Sequence, residues 1–247
     1  MKQPGTRAAP RFYVQARLSP GAVIELPERV MRHVTVLRLR RGDSIILFNG
    51  DGGEFTAELT GLARAGAHAR IVASQDIERE SPLSITLAQC VSSGDRMDLT
   101  LQKATELGVR AIVPVESERT IVKLSRDRAD RRIAHWRNVA IAACEQCGRN
   151  RVPEVSAIVE LDEFIASAAA DALRLVLAPD SLLDLKSAGP VRSVILLVGP
   201  EGGLSPEERR RAEARGFVPV RFGPRVLRTE TAPLAAIAAM QALWGDC

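Results

Sequence analysis

At 247 residues, 46% apolar and 26% charged, the chain has the make-up of an ordinary globular protein, with room for one large domain or two smaller ones. No apolar run approaches the roughly 20 residues that a membrane-crossing helix needs, and residues 1–10 are polar, without the apolar centre of a secretory signal. A cytoplasmic protein with no membrane partner is therefore expected. Four scattered cysteines exclude a disulfide framework, and the net charge of +4 is a mild excess carried almost wholly by arginine, since lysine occurs only at positions 2, 103, 123 and 186.

The first eighty residues carry short runs of β-forming residues: Arg11-Phe12-Tyr13-Val14, Ala22-Val23-Ile24-Glu25-Leu26, Ser44-Ile45-Ile46-Leu47-Phe48, Glu54-Phe55-Thr56-Ala57-Glu58-Leu59, and a fifth over 67–73. Arg41-Gly42-Asp43 and Asn49-Gly50-Asp51-Gly52-Gly53 supply turns, the latter a strong hairpin signal. One helix is predicted over 27–39, with Val30, Val34 and Leu37 on one face. So many short strands in so short a stretch predict a small β-barrel over residues 1–78. The polar connector Glu78-Arg79-Glu80-Ser81-Pro82 marks the domain boundary.

From Leu83 onward strands alternate with helices. Strands are predicted over 83–91, 111–115, 173–178, 193–198 and 217–222, and helices over 95–107 (stopped by Gly108), 127–147, 161–169, 206–215 and 231–244. The alternation predicts an α/β domain with a mostly parallel sheet covered on both faces. Helix 95–107, with Arg96, Lys103 and Glu106 among apolar residues, reads as a structural amphipathic element.

Charge is concentrated between Arg119 and Arg151, where Arg119, Lys123, Arg126, Arg128, Arg131, Arg132, Arg137, Arg149 and Arg151 face only Asp127, Asp130 and Glu145. Guanidinium forks match phosphate oxygens and stack on bases, so an RNA partner fits; a solvated helix face or a salt-bridged interface fits the same charges.

Two loops carry the strongest functional signal. Val198-Gly199-Pro200-Glu201-Gly202-Gly203-Leu204 follows a buried strand and precedes a helix whose start is marked by Ser205, Pro206 and Glu208, a capping box with proline at the first helical position. Phe222-Gly223-Pro224-Arg225-Val226-Leu227-Arg228-Thr229-Glu230-Thr231 makes the second crossing from strand to helix. Loops at the ends of neighbouring strands are where an α/β sheet builds a ligand site. The first loop is neither the dinucleotide fingerprint nor a P-loop. Arg228 and Glu230 read equally as a site wall or as solvated residues capping the last helix. Cys144-x-x-Cys147 ends a helix and lacks partner cysteines at zinc spacing, and His33, His68 and His135 share no ligand pattern, so no metal site is expected. A serine-hydrolase elbow is absent.

Taken together, these segments resemble the bacterial 16S ribosomal RNA uridine-N3 methyltransferases of the SPOUT superfamily. The resemblance rests on His33, Arg38-Leu39, Gly42-Asp43, Glu80-Ser81-Pro82-Leu83, Lys103-Ala104-Thr105-Glu106-Leu107-Gly108, Ser117-Glu118-Arg119, the run 142–153, Gly199 to Leu204 and Gly223 to Thr231. Ala232-Pro233 departs from the pattern by placing proline in the first turn of the last helix, where proline is tolerated. The resemblance implies an N-terminal PUA-like β-barrel that helps hold RNA, and a SPOUT domain over 83–247 with a deep trefoil knot near 173–247.

S-adenosyl-L-methionine, the methyl donor, would lie bent in the knot against main-chain groups of three loops. These match Leu177, Ala178 and Pro179; Val198, Gly199 and Gly203; and Phe222, Gly223, Arg225, Val226 and Leu227. The glycines would let adenine reach the backbone where no side chain intervenes. The resemblance further implies a homodimer paired through the knot, with 16S ribosomal RNA or the small ribosomal subunit as partner. Uridine N3 carries a proton, so Arg228 is assigned to stabilise the anion and Glu230 to orient it, with Glu201 a less favoured proton acceptor. Arg11, Arg38, Arg119 and Arg149 are expected to contact RNA. A methyltransferase acting on another RNA or base position, and a non-catalytic RNA-binding protein, remain the alternatives.

Overall fold

The computed structural model describes residues 9–63, 66–120, 126–181, 183, 185 and 190–247. Lys123 of the basic segment lies outside them. The chain forms two compact units, the first comprising Met1–Glu80 with Cys144–Val152 and the second Ser81–Ala143 with Pro153–Cys247.

In the first unit β1 (Arg11–Tyr13), β2 (Val23–Leu26), β3 (Ser44–Phe48), β4 (Glu54–Ala63) and β5 (Gly66–Gln75) form one sheet in the order β1-β3-β4-β5-β2, with helix α1 (Glu28–Val36) between β2 and β3. Period-two alternation sends Ile45 and Leu47 of β3, and Ala67, Ala69 and Ile71 of β5, into a core shared with Phe12, Leu26, Val30, Val34, Ala57 and Leu59. All five strands and α1 thus serve one core, the arrangement of a small curled PUA-like sheet. Leu37, expected on the buried face of the helix, is its C-cap and is exposed. There the N–H of Leu39 reaches the Val34 carbonyl and that of Arg38 reaches Thr35, both at 3.0 Å, which is a Schellman ending. The left-handed position of that motif is held by Arg38, φ 57°. Helices α2 and α5 of the second unit end in the same bond pattern, with Gly108 and Gly216 in that slot.

The segment Cys144–Val152, placed by the sequence reading in the second domain, belongs to the first unit because its polar groups are bonded there. Glu145 accepts the Tyr13 N–H at 2.9 Å and pairs with Arg29. Asn150, fully buried, donates to the Ile77 carbonyl at 2.7 Å and accepts from Arg11. Arg11 and Arg79 both donate to Glu54 Oε2, and Arg149 forms a two-pronged ion pair with Glu80. Arg79 also caps the Gly148 carbonyl at 2.9 Å.

The second unit contains β6 (Ser84–Cys90), α2 (Asp95–Glu106), β7 (Ala111–Glu116), α3 (Arg126–Cys147, whose last turn counts with the first unit), β8 (Glu154–Val155), β9 (Val159–Glu160), α4 (Leu161–Ser167), β10 (Leu173–Leu177), β11 (Ser193–Val198), α5 (Pro206–Ala214), β12 (Val218–Val220) and α6 (Thr231–Trp244). The sheet runs β12-β10-β11-β6-β7-β8 with β9 beside β7, and every pairing is parallel. The central strands are continuous apolar runs, as a sheet covered on both faces requires: Val194 through Val198 are all buried. One face packs on Leu161, Phe164 and Ile165 of α4 and on Ala212 of α5. Helices α2 and α6 pack together, and Gln241 of α6 caps the end of α2 by donating to the Leu107 carbonyl at 2.8 Å.

The strand expected over 217–222 is shorter than its sequence signal. Only Val218–Val220 pairs with β10, while Phe217 turns into the core against Phe164. No helix among the described residues is long and apolar enough to cross a membrane.

Candidate cofactor cleft

Strands β12, β10 and β11 lie side by side and in parallel, so the loops that leave their C-terminal ends meet at one edge of the sheet. They enclose a cleft of about 640 Å³, lined by Leu177 and Pro179 after β10, Val198 to Gly203 after β11, Val226 to Glu230 and Ala232 after β12, and Arg96 from α2. A small adjoining cavity of about 40 Å³ shares Leu177, Pro179, Leu227 and Ala232 and is completed by Ala178, Phe222 and Arg225, among others. Of the residues expected around a cofactor, Leu177, Pro179, Val198, Gly199, Gly203, Val226 and Leu227 line the cleft, and Ala178, Phe222 and Arg225 line the cavity beside it. Gly223 lines neither and supplies a left-handed turn, φ 66°.

The local sequence makes the wall rigid. Ser205 caps α5 by accepting the Glu208 N–H at 3.2 Å, and the Glu208 carboxylate returns to the Ser205 N–H at 2.8 Å. The other oxygen of Glu208 accepts the Glu118 N–H at 2.7 Å. Next to it, Arg119 donates to the Gly202 carbonyl at 2.8 Å. The glycines of this loop have a different use from the one expected. A Cβ on Gly199 would lie 2.9 Å from the Leu204 nitrogen and 3.0 Å from the Gly203 carbonyl carbon, so Gly199 is required by the loop's own backbone before any ligand arrives. Gly203 takes φ 65° and closes a turn on the Pro200 carbonyl at 2.8 Å.

A buried strap joins the two principal loops. Gln89, fully buried at the end of β6, donates through Nε2 to Thr229 Oγ1 at 3.2 Å, and Thr229 donates to the Gly199 carbonyl at 2.9 Å. The strap fixes 221–230 against the glycine loop, and neither Gln89 nor Thr229 carried a sequence signal for that role.

The charged groups of the cleft centre on Arg96, part of the helix read from sequence as a structural amphipathic element. It donates to Glu201 Oε1 at 2.9 Å and lies 3.9 Å from Glu230 Oε2. Ser93 adds its N–H at 3.0 Å and its hydroxyl at 2.9 Å to the same Glu201 oxygen. Burial opposes ionisation of Glu201, but these donors outweigh it and hold its carboxyl below the usual range. Glu201 Oε2 and Glu230 Oε2 are buried and have no hydrogen-bond partner among the described residues. Arg228 lines the cleft, is exposed, and forms no ion pair with another described residue.

The four arginines expected on RNA separate into two kinds. Arg38 and Arg119 are exposed. Arg11 and Arg149 are not: Arg149 is 4% exposed and locked to Glu80, and Arg11 is shared between Glu54 and Asn150. Burial works against the charge of Arg149, and the Glu80 carboxylate outweighs it and raises its pKa. Charge counting along the sequence could not separate a guanidinium that faces solvent from one that holds its own fold. In the Cys-x-x-Cys segment, burial pushes the Cys144 thiol up to about 12, so it stays protonated at neutral pH. Among the described residues no group of three or more His, Cys, Asp or Glu is arranged to hold a metal ion.

Comparison with known proteins adds to this geometry. The family model for the RNA methyltransferase domain matches residues 79–241, and that for the RNA methyltransferase PUA domain matches residues 26–72. The ribosomal RNA small subunit methyltransferase E of Buchnera aphidicola is 31% identical, with 96% of this chain and 94% of the relative covered. The chain belongs to the ribosomal RNA small subunit methyltransferase E family. Another member with a known structure, from Neisseria gonorrhoeae and bound to S-adenosyl methionine, is 47% identical with a TM-score of 0.91 over 96% of this chain and 99% of that one. A Legionella pneumophila protein solved with bound cofactor SAM is 40% identical with a TM-score of 0.95, covering 98% of this chain and all of the other. The two domain models of the family thus fall on the small curled sheet and on the parallel sheet that carries the cleft.

Proposed function

We propose that this member of the ribosomal RNA small subunit methyltransferase E family transfers a methyl group from S-adenosylmethionine to N3 of a uridine in 16S ribosomal RNA. The observation that carries the reading is the cleft: three loops at the ends of adjacent parallel strands around about 640 Å³, within the range of small-molecule sites. The SAM-bound relatives support the choice of cofactor, and the names of the curated relatives support the class of RNA.

The residues present fit such a ligand. Main-chain groups around Leu177, Val198–Gly203 and Leu227 would hold it, and the buried Oε2 of Glu201 offers a negative charge to a cation. When bound, S-adenosylmethionine supplies an electrophilic methyl group on a cationic sulfonium. The chain's own residues must then manage the base. Neutral uridine N3 bears a proton and is a poor nucleophile, so the site has to remove it and stabilise the charge spread over O2, N3 and O4. Arg228 is exposed in the cleft and has no ion pair among the described residues, which supports assigning it the second role. Arg38 and Arg119 are proposed to contact RNA phosphates, while Arg11 and Arg149 are reassigned to holding the first unit together.

We read residues 1–78, joined by Cys144–Val152, as the RNA-holding domain, the rest of 83–247 as the catalytic domain with a knot near 173–247, and the working form as a cytoplasmic homodimer paired through that knot. Apolar surface left open on this stretch supports the pairing: Val226 beside the cleft is 82% exposed and Leu243 on α6 is 48% exposed.

Mass-spectrometric mapping of small-subunit RNA from a deletion strain, before and after adding the purified protein and S-adenosylmethionine, tests the whole reading. One uridine should gain a methyl group on N3. Methylation of another atom, or none, would overturn it.

A further inference from the structure

The cleft contains two carboxylates beside one guanidinium, and the fold treats them unequally. Glu201 is tied down: its Oε1 accepts the Ser93 N–H, the Ser93 hydroxyl and an Arg96 N–H, all within 3.0 Å. An oxygen already holding three donors is a poor proton acceptor. Those donors hold the whole Glu201 carboxyl below the usual range, so its Oε2, buried and unpartnered like that of Glu230, is a weak base as well; in return Glu201 fixes Arg96 in place. Glu230 has none of this. It stands at the N-cap of α6 without a side-chain cap bond, its Oε2 is buried with no hydrogen-bond partner among the described residues, and its one ion-pair contact among them, Arg96 Nε, is 3.9 Å away, beyond hydrogen-bond distance. A buried carboxylate oxygen without a donor is costly to maintain unless a ligand supplies the missing N–H. Uracil N3–H is a donor of that kind, and Arg228, two residues earlier on the same loop, faces the same cleft.

We infer that Glu230 accepts the uridine N3 proton, while Glu201 is a positioning residue that holds Arg96 beside it. This rests on the reading of the protein as a uridine-N3 methyltransferase. In the step, the N3–H bond breaks and the proton passes to Glu230 Oε2. The electron pair stays on the base until it forms the new bond from N3 to the methyl carbon, and the pair of the broken carbon–sulfur bond remains on sulfur. The proton on Glu230 is afterwards released to water. The charged groups sharing the cleft with Glu230 are Arg96 from α2, Glu201 from the loop after β11 and Arg228 from its own loop. Arg228 favours the anion of the base.

Glu230→Gln, Glu230→Asp and Glu201→Gln, compared with the unaltered protein, test the inference through the pH profile of single-turnover methyl transfer. Calorimetric affinities for S-adenosylmethionine and for substrate RNA serve as the second readout. General-base catalysis contributes roughly 10²- to 10⁴-fold. Glu230→Gln should therefore lose at least about 100-fold in rate and lose the fall in rate at acid pH, while both affinities stay within about threefold. Glu230→Asp should bring back the acid fall at a reduced rate. Glu201→Gln should be slower and bind the cofactor less well, yet keep the acid fall. The inference is overturned if Glu230→Gln retains its rate to within a few-fold, or if the acid fall disappears with Glu201 instead. Should the unaltered protein methylate an atom other than N3 in the same assay, the parent reading fails and the inference falls with it.

Discussion

Each compact unit has its own cluster of arginine and carboxylate, and the two clusters differ in what they leave unbonded. In the first unit Glu80 gives both oxygens to Arg149, Glu145 meets Arg29 and the Tyr13 N–H, and Glu54 Oε2 receives Arg11 and Arg79. The one buried polar side-chain atom left over in that cluster is a donor, Arg11 Nε, on a guanidinium centred 5.2 Å above the Phe48 ring. In the cleft of the second unit the leftovers are acceptors, one oxygen each of Glu201 and Glu230. A satisfied cluster stabilises a fold and has nothing further to offer. A cluster short of donors retains its desolvation cost until something binds, which is consistent with a ligand site where, as here, it lines a cleft.

The comparison can be broken most directly at Arg149. Arg149→Ala leaves Glu80 without its main partner, and breaking a buried pair from one side typically costs about 3–5 kcal/mol. Thermal melting of the full chain should show a loss of that size, and a loss below about 1 kcal/mol would mean that the first cluster is not structural. Thr229→Val comes next and acts on the cleft alone. It removes the link from Gln89 to the Gly199 carbonyl, leaving buried polar groups unpaired at about 1–3 kcal/mol. Calorimetry should find S-adenosylmethionine bound roughly tenfold more weakly, and unchanged affinity would show that the strap does not hold the cofactor loops. The smallest effect is of opposite sign. Arg38 occupies the left-handed slot that Gly108 and Gly216 fill at the ends of α2 and α5, where a side chain costs on the order of 1 kcal/mol. Arg38→Gly should raise the melting temperature slightly and weaken RNA binding. A variant that gains stability and keeps its RNA affinity would remove Arg38 from the RNA surface.

What the sequence made legible was local. Ser205, Pro206 and Glu208 announce the start of α5 within four residues, and the capping box forms as read. The apolar runs of β6, β10 and β11 announce buried parallel strands, because both faces of such strands are covered. The two loops that line the cleft were singled out by their position at strand ends. What was missed depends on contacts across the chain. Arg96 reaches Glu201 over 105 residues, and Gln89 reaches Thr229 over 140, so no window of sequence contains either pair. The two-residue strands β8 and β9 are too short to carry a period. The basic stretch ending at Arg151 looked uniform because a count of charges does not register burial, and burial is what separates Arg149 from Arg119.

The return of Cys144–Val152 to the first unit bears on how the protein is made. A chain synthesised from its N-terminus presents β1 to β5 early, and their apolar core can collapse at once. Arg29 and Glu80 must wait for Glu145 and Arg149, which follow only after β6, α2, β7 and most of α3 have been added. The polar half of the first unit therefore closes late, after β6, α2 and β7 have left the ribosome. A fragment ending at Glu80 would carry its hydrophobic core and the Arg11–Glu54–Arg79 cluster but lack the partners of Arg29 and Glu80. The unit cannot be moved to another protein as a bead on a string, because its chain is interrupted by its neighbour.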